Sequence, residues 1–250
     1  MQSAPRIGWM ALLLAMAGQA HAGHPLVSDD TGTQGTGHWQ VELNTDFTHF
    51  PDPALSDWSH QFNAALTRGV AANLDLSLSV PWLWLPASGT AAQHGVGDMT
   101  VLAKWRFHDG SNGWSLALRP EITLPTGRAS QQLGNGRATA ALTLISTWTR
   151  GRWTWLANAG ISHNDNKLGD RKQLWAASTA IAFTAGDRLT WVADIGANRA
   201  AEVGAGTERF GLLGAIFHFG QNVDLDVGWQ RSLSPGPASD TPGAGLTLRW

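Results

Sequence analysis

Residues 95–127 read GVGDMTVLAKWRFHDGSNGWSLALRPEITLPTG. Two strand-length runs flank one short polar turn. In the first run Met99, Val101, Ala103, Trp105 and Phe107 share a parity, against Asp98, Thr100, Lys104 and Arg106. In the second, Trp114, Leu116, Leu118, Ile122 and Leu124 share a parity, against Ser115, Ala117, Arg119, Glu121 and Thr123. Alternate side chains of a strand point to opposite faces. The stretch is therefore a hairpin with one continuous apolar face and one face carrying both signs of charge. A soluble sheet would also alternate, so the environment has to be read from the remainder of the chain.

Outward from this hairpin the same alternation recurs in twelve segments, roughly 38–50, 58–69, 74–85, 98–107, 113–125, 137–149, 152–163, 173–184, 188–198, 208–219, 222–233 and 243–250. In the third, Leu74, Leu76, Leu78, Val80, Trp82 and Trp84 oppose Asp75, Ser77 and Ser79. In the eleventh, Val223, Leu225, Val227 and Trp229 oppose Asp224, Asp226 and Gln230. The tenth, around Phe210 to Phe219, is apolar on both parities, and its register stays open at this point.

The connections supply a second signal. Asn73, His108–Asn112, Arg150–Arg152, Ala185–Asp187 and Gly220–Gln221 are short. Between them Pro51–Asp57, Pro86–Gly97, Thr126–Gly136, Asn164–Lys172, Arg199–Thr207 and Ser234–Pro242 are longer and rich in Gly, Pro, Ser and Asn. Regular alternation of short and long connections is the habit of an up-and-down barrel with short periplasmic turns and longer outer loops. A β-sandwich has no reason to keep it. With short turns assigned to the periplasm, Trp39, Trp105, Trp114, Trp148, Trp153, Trp155, Trp191 and Trp250 fall near that boundary, and Trp58, Trp82, Trp84, Trp175 and Trp229 near the outer one. Indoles favour both membrane interfaces because the ring is apolar while the N–H needs a polar partner. Each segment also has about the ten residues that a tilted membrane strand needs. The fold expected is all-β, an antiparallel up-and-down transmembrane barrel of about twelve strands, with ten and fourteen as open alternatives. It spans 38–250, in the outer membrane of a Gram-negative bacterium. Leu246, Leu248 and the terminal Trp250 resemble the C-terminal strand signal that such barrels present to the barrel assembly machinery.

Composition bounds the alternatives. The 250 residues include 14 Trp, 29 Gly, no Tyr and no Cys, and the net charge is −2. Disulfides and thiolate metal sites are excluded. No basic block exists to hold nucleic acid. No run approaches the length of a transmembrane helix. Arg6, the apolar run Ile7–Gly18 and the small residues Ala20 and Ala22 read as a secretory signal peptide over 1–22. Residues 23–37, GHPLVSDDTGTQGTG, are polar and aperiodic: a loop, a lumen plug or a periplasmic tail.

Three motifs resemble a family of outer-membrane transporters associated with the meta-cleavage pathway of phenol degradation. They are Asp29-Asp30-Thr-Gly-Thr-Gln-Gly35 with Gly37, Gly95-Val-Gly97-Asp98, and Leu124-Pro125-Thr126-Gly127. The likeness covers most of the chain after residue 22. It implies passage of aromatic or other hydrophobic compounds and brings no catalytic residues. Each motif also has a purely structural reading, as the glycines and prolines of strand ends and turns.

Lipid-facing parity places Glu42, Asp46, Asp75, Asp98, Lys104, Arg106, Arg119, Glu121, Asp194, Asp224, Asp226 and Arg249 in the lumen, with Arg137. Any barrel segregates charge this way, because an Arg or Lys on the lipid face costs roughly 2–4 kcal/mol at the midplane. Some of these residues should pair across strands: Arg249 with Asp224, Asp226 and Glu42, and Lys104 and Arg106 with Asp75. Such pairs either hold the wall together or constrict a channel and select permeants, and all twelve residues are the permeation candidates. The function expected is passive diffusion of small hydrophobic or aromatic molecules through a channel, without enzyme activity, cofactor or metal. The partners expected are outer-membrane lipids, the barrel assembly machinery and the permeant, with no nucleic acid. Two alternatives stand beside it. One is a non-conducting structural barrel. The other is a lipid-modifying hydrolase, which would need His and Ser two apart on one strand face. His108 and Ser111 are three apart in a turn, and His163, Asn164 and Asp165 lack a serine.

Overall fold

The computed structural model describes residues 23–49, 58–86, 92–235 and 238–250. The signal-peptide reading of 1–22 and the connection Pro51–Asp57 lie outside them, as do parts of two other outer loops. Among the described residues there are thirteen strands: β1 (Trp39–His49), β2 (Trp58–Ala71), β3 (Leu74–Leu85), β4 (Gln93–Val96), β5 (Met99–Asp109), β6 (Trp114–Leu124), β7 (Thr139–Arg150), β8 (Trp153–His163), β9 (Gln173–Thr184), β10 (Leu189–Arg199), β11 (Thr207–Phe219), β12 (Val223–Ser232) and β13 (Asp240–Arg249). Every pairing is antiparallel, each strand pairs with its chain neighbours except that β4 and β5 both pair with β3, and β13 returns to β1. The result is a closed barrel of twelve staves. The extra strand arises because one stave is interrupted. β4 pairs with the outer half of β3, from Trp82↔Val96 to Leu85↔Gln93, and β5 with its periplasmic half, from Leu74↔Trp105 to Ser79↔Thr100. Gly97 and Asp98 form the break between them.

Closure is forced by the solvent. Hydrocarbon supplies no hydrogen-bond partner, so a spanning sheet must satisfy its own backbone and leave no edge. The seam meets this through the register Gln40↔Arg249 to His49↔Asp240. At its periplasmic end Trp39 and Trp250 exchange backbone N–H···O bonds of 2.8 and 3.1 Å. The β7–β8 turn has only two residues, and its Gly151 has φ +62°, the left-handed conformation favoured in tight hairpins.

The period-2 pattern sorts the side chains. Leu76, Leu78, Val101, Ile122, Leu142, Leu144, Ile195, Leu225 and Val227 are exposed on the outer surface. On the opposite parity Ser77, Ser79, Thr100, Arg119, Glu121, Thr123, Asp194 and Asp226 are buried. The register left open in the tenth segment is settled in β11. Leu213, Phe217 and Phe219 point out, and Leu212 is buried on the inner side. Two aromatic girdles bound the apolar band. Near the periplasm Trp148 stacks on Trp155 at 4.9 Å and Trp153 meets Phe183 at 4.5 Å. Near the outside Phe47, His60 and Trp84 stack in a row at 4.2 and 4.5 Å. Trp229 at this level gives its indole N–H to Asp240, 3.1 Å away. An apolar band on a closed wall, bounded by two such girdles, is the outer surface of a Gram-negative outer-membrane barrel.

Depth along the wall sets the cost of a charge. Leu78→Arg, mid-stave, should lower the unfolding free energy by roughly 2–4 kcal/mol in urea titrations from lipid vesicles, and Trp58→Arg at the rim by about 1 or less. Equal losses at the two positions would contradict the assigned membrane depth.

Candidate functional site

The inner wall is built from the buried parity, and residues 23–37 lie along it. The segment leaves the wall beside β2, where Gly37 N–H donates to Gly69 O at 2.8 Å and Gly69 N–H to His38 O at 2.9 Å. A Cβ on Gly69 would stand 1.8 Å from Gly35 O, so only glycine permits this approach. From there Gln34 N–H reaches both carboxylate oxygens of Asp75, at 3.1 and 3.0 Å. Thr31 N–H donates to Thr147 Oγ1 at 3.0 Å. Val27 and Ser28 N–H groups converge on Asp194 Oδ2 at 2.9 and 2.6 Å, and Ser28 Oγ lies 2.9 Å from Asp194 Oδ1. Pro25 packs where β11 and β12 carry Gly214 and Gly228; a Cβ there would fall 2.7 and 2.5 Å from its ring. Near its start the segment sets His24 between two carboxylates, with Nδ1 bonded to Asp226 and Nε2 3.3 Å from Asp46. The segment thus crosses the lumen from β2 and β3 to β10, β12 and β1.

Its centre is Asp29, 2 % exposed. One carboxylate oxygen takes Lys104 Nζ at 3.1 Å and the other Arg119 Nη1 at 2.7 Å. Asn158, with its amide turned to satisfy both partners, accepts from Asp29 N–H at 2.7 Å and donates to Asp29 O at 3.0 Å. Buried charge of this kind persists only when paired and hydrogen-bonded. The segment therefore brings its own counterion to the two cations of β5 and β6.

On the outer side of this cluster the lumen holds a cavity of about 140 Å³. Arg119, Glu121, Asn158 and Asn198 line it with Leu174, Ala176, Phe210 and Val27. Phe210 lies across Gly196, where a Cβ would come within 2.5 Å of its ring.

The twelve residues expected in the lumen separate into groups. Asp46, Asp75, Lys104, Arg119, Asp194 and Asp226 contact the segment. Glu42 is buried beside Gly23, and Glu121 stands 3.6 Å from Arg119 Nε. Arg249 reaches Asp224 at 2.7 Å as expected, but its Nε goes to Gln40 rather than Glu42, and Asp226 is taken by His24. Asp224 also bonds His218 at 2.7 Å. Lys104 stands opposite Asp75 in register, yet its ion pair goes to Asp29 because the segment intervenes. Arg106 turns to Asp109 at 3.5 Å. Arg137, assigned to the lumen by parity, lies before β7 in an outer loop and pairs with Asp165 at 3.1 Å. That hydrogen bond holds the Asp165 carboxyl below the usual carboxylate range.

Asp98 has another task. Its carboxylate accepts Gly127 N–H at 2.8 Å and Asn135 N–H at 2.7 Å. Thr126 Oγ1 accepts Met99 N–H and donates to Gly97 O, both at 2.9 Å. Leu133, 2 % exposed, sits against Gly95, Gly97 and Gly127. The two motifs Gly95–Asp98 and Leu124–Gly127 are therefore one unit that ties the β6–β7 loop to the interrupted stave. Sequence reasoning did not single out His24, Ser28, Asp29 and Asn158 as site residues. The signal for Asp29 was its place in the Asp29–Gly35 motif.

The chain matches the family described as "Putative MetA-pathway of phenol degradation" over residues 22–250, and it belongs to that family. Its fold is similar to that of an outer membrane channel from Pseudomonas putida F1, at 15% identity and a TM-score of 0.73, covering 88% of this chain and 98% of that one. It is also similar to the NanC porin, at 6% identity and a TM-score of 0.60, covering 83% and 98%. The KdgM porin in complex with disordered oligogalacturonate matches at 8% identity and a TM-score of 0.59, covering 84% and 98%. No curated protein matches.

Two substitutions test these connections separately. Hydrogen bonds to a carboxylate contribute about 1.5–3 kcal/mol each. Asp194→Ala should therefore speed amide exchange of Val27 and Ser28 roughly ten- to hundredfold by hydrogen-exchange mass spectrometry, leaving β6 and β7 unchanged. Asp98→Ala should do the same for Gly127 and Asn135 without altering residues 27–29. Exchange that rises equally at both places in either variant would refute the separation.

Proposed function

We propose that this barrel is a passive channel for small molecules with a hydrophobic or aromatic body, held closed by residues 23–37 folded inside it. The observation that carries this reading is the double use of one inner wall. Six charged wall residues hold the segment, while the cavity beyond it keeps open space against Arg119, Glu121, Leu174 and Phe210. A segment held largely by polar contacts, with Pro25 as its packed apolar residue, can be exchanged for water and permeant, because each polar contact has an aqueous substitute. The similarity in fold to a channel and to porins supports the reading. So does the mixed lining of the cavity, where Phe210 and Leu174 suit an apolar body and Arg119 with Asn158 suits a polar end.

In this reading Arg119 and Glu121 meet the permeant, and Asp46, Asp75, Lys104, Asp194 and Asp226 act through the segment. Glu42, Asp224 and Arg249 hold the wall at the seam, Asp98 anchors an outer loop, and Arg106 stands at the periplasmic rim. This reading assigns the barrel no catalytic role. The histidines weighed for a hydrolase have other partners: His163 Nδ1 is engaged by Gln173 at 2.9 Å, and His108 lies against Trp114 at 5.0 Å.

In planar bilayers the wild-type barrel should conduct weakly, and deletion of 23–37 should raise single-channel conductance severalfold. Gly69→Ala in the full chain, which drives a methyl into Gly35 O, should raise it in the same direction. Silence from all three proteins would overturn the channel reading.

A further inference from the structure

We propose that Asp29 occupies a binding site for a small monocarboxylate permeant, formed by Lys104, Arg119 and the cavity above them. The inference rests on the channel reading and adds a substrate class to it.

The geometry of the occupant carries the argument. Asp29 presents a planar carboxylate, and the wall divides its two oxygens between two cations, Lys104 at 3.1 Å and Arg119 at 2.7 Å. Such charge-assisted contacts are short and directional. Both cations belong to the wall, while Asp29 belongs to a segment with no strand of its own. Lys104 has a second acid nearby, Asp30 at 3.9 Å, which is on the same segment. When the segment leaves, both acids leave with it. On the wall, Glu121 stands 3.6 Å from Arg119, and Asp75 lies opposite Lys104 in register. In the folded chain a single carboxylate serves both cations, one oxygen to each, so one such group fills the site. The site therefore favours a monoanion.

The cavity states where the rest of the ligand goes. It begins at Arg119 and runs outward between Leu174, Ala176 and Phe210. Its volume, about 140 Å³, is close to that of cavities known to hold a benzene ring. A ligand arriving from outside would place its ring there and its carboxylate on Arg119, competing with Asp29 for that guanidinium. Competition of a tethered group is strong because its effective concentration is high. Removing the tethered carboxylate should thus reveal affinity that the intact chain conceals.

The test uses full-length protein in detergent and isothermal titration with benzoate. Asp29→Asn keeps the side chain's shape and removes its charge, and should bind benzoate at least tenfold more tightly than wild type. Asp194→Asn loosens the same segment from the opposite wall and leaves both cations untouched. It should shift affinity in the same direction, which keeps the test valid if Asp29→Asn fails to fold. Cyclohexanecarboxylate should behave as benzoate does. Benzamide, the neutral isostere, should bind at least tenfold more weakly, and adding Arg119→Gln to Asp29→Asn should abolish the gain. Equal benzoate affinity in wild type and both variants, benzamide binding as well as benzoate, or retention of the gain in the Arg119→Gln double variant would each overturn the proposal. Tight benzoate binding by a barrel that does not conduct supports this site and removes the channel reading. Conduction with no preference for carboxylates does the reverse.

Discussion

A strand in hydrocarbon has nowhere to place an unpaired N–H. That constraint makes the sheet close, and everything else here depends on the closure. The seam between β1 and β13 leaves no edge, and it holds the chain's last residue against its first strand residue through the Trp39–Trp250 pair. Closure also creates an interior. Twelve staves enclose more space than side chains of ordinary size fill, so the lumen needs water, ligand or chain to occupy it. In this protein chain occupies part of it.

The wall was legible in the sequence because its rule is local. Alternation at period 2 needs only a window of about ten residues, and the alternation of short and long connections needs only the order of windows. The twelve staves and the girdle tryptophans followed from these two patterns, whereas β4 lies within Pro86–Gly97, read as a loop because four residues rich in Gly and His show no alternation. β11 resisted because Leu212 and Ile216 make its inner parity apolar as well, so the local rule had no contrast to use. Arg137 was misassigned for a related reason. Parity was extended two residues beyond the start of β7, into a loop where it has no meaning.

The contents of the lumen were not legible, for the opposite reason. The contacts of residues 23–37 join positions separated by 75, 90 and 166 residues. No period marks them, and one buried aspartate looks like any other in a list of nineteen acids. The expected pairs failed where this segment intervenes. Lys104 lies opposite Asp75 as register requires, yet Asp29 takes the charge. The motifs with glycine and proline were readable as turn formers, but not as one unit. Only the fold shows that Asp98 closes the first motif onto the second, through backbone amides that carry no sequence signature.

The partner of His24 on β12 lies 202 residues downstream. The segment therefore emerges from synthesis long before the wall that holds it exists. Its first available contacts are at Gly69 and Asp75, its middle contacts at β5 and β6, and its last at β12 and the seam. Interactions of such separation form late, since their loop entropy must be overcome first. The seam joins residues just as far apart, Gln40 with Arg249, so the closing of the wall and the last contact of the segment both wait for the C-terminal strands.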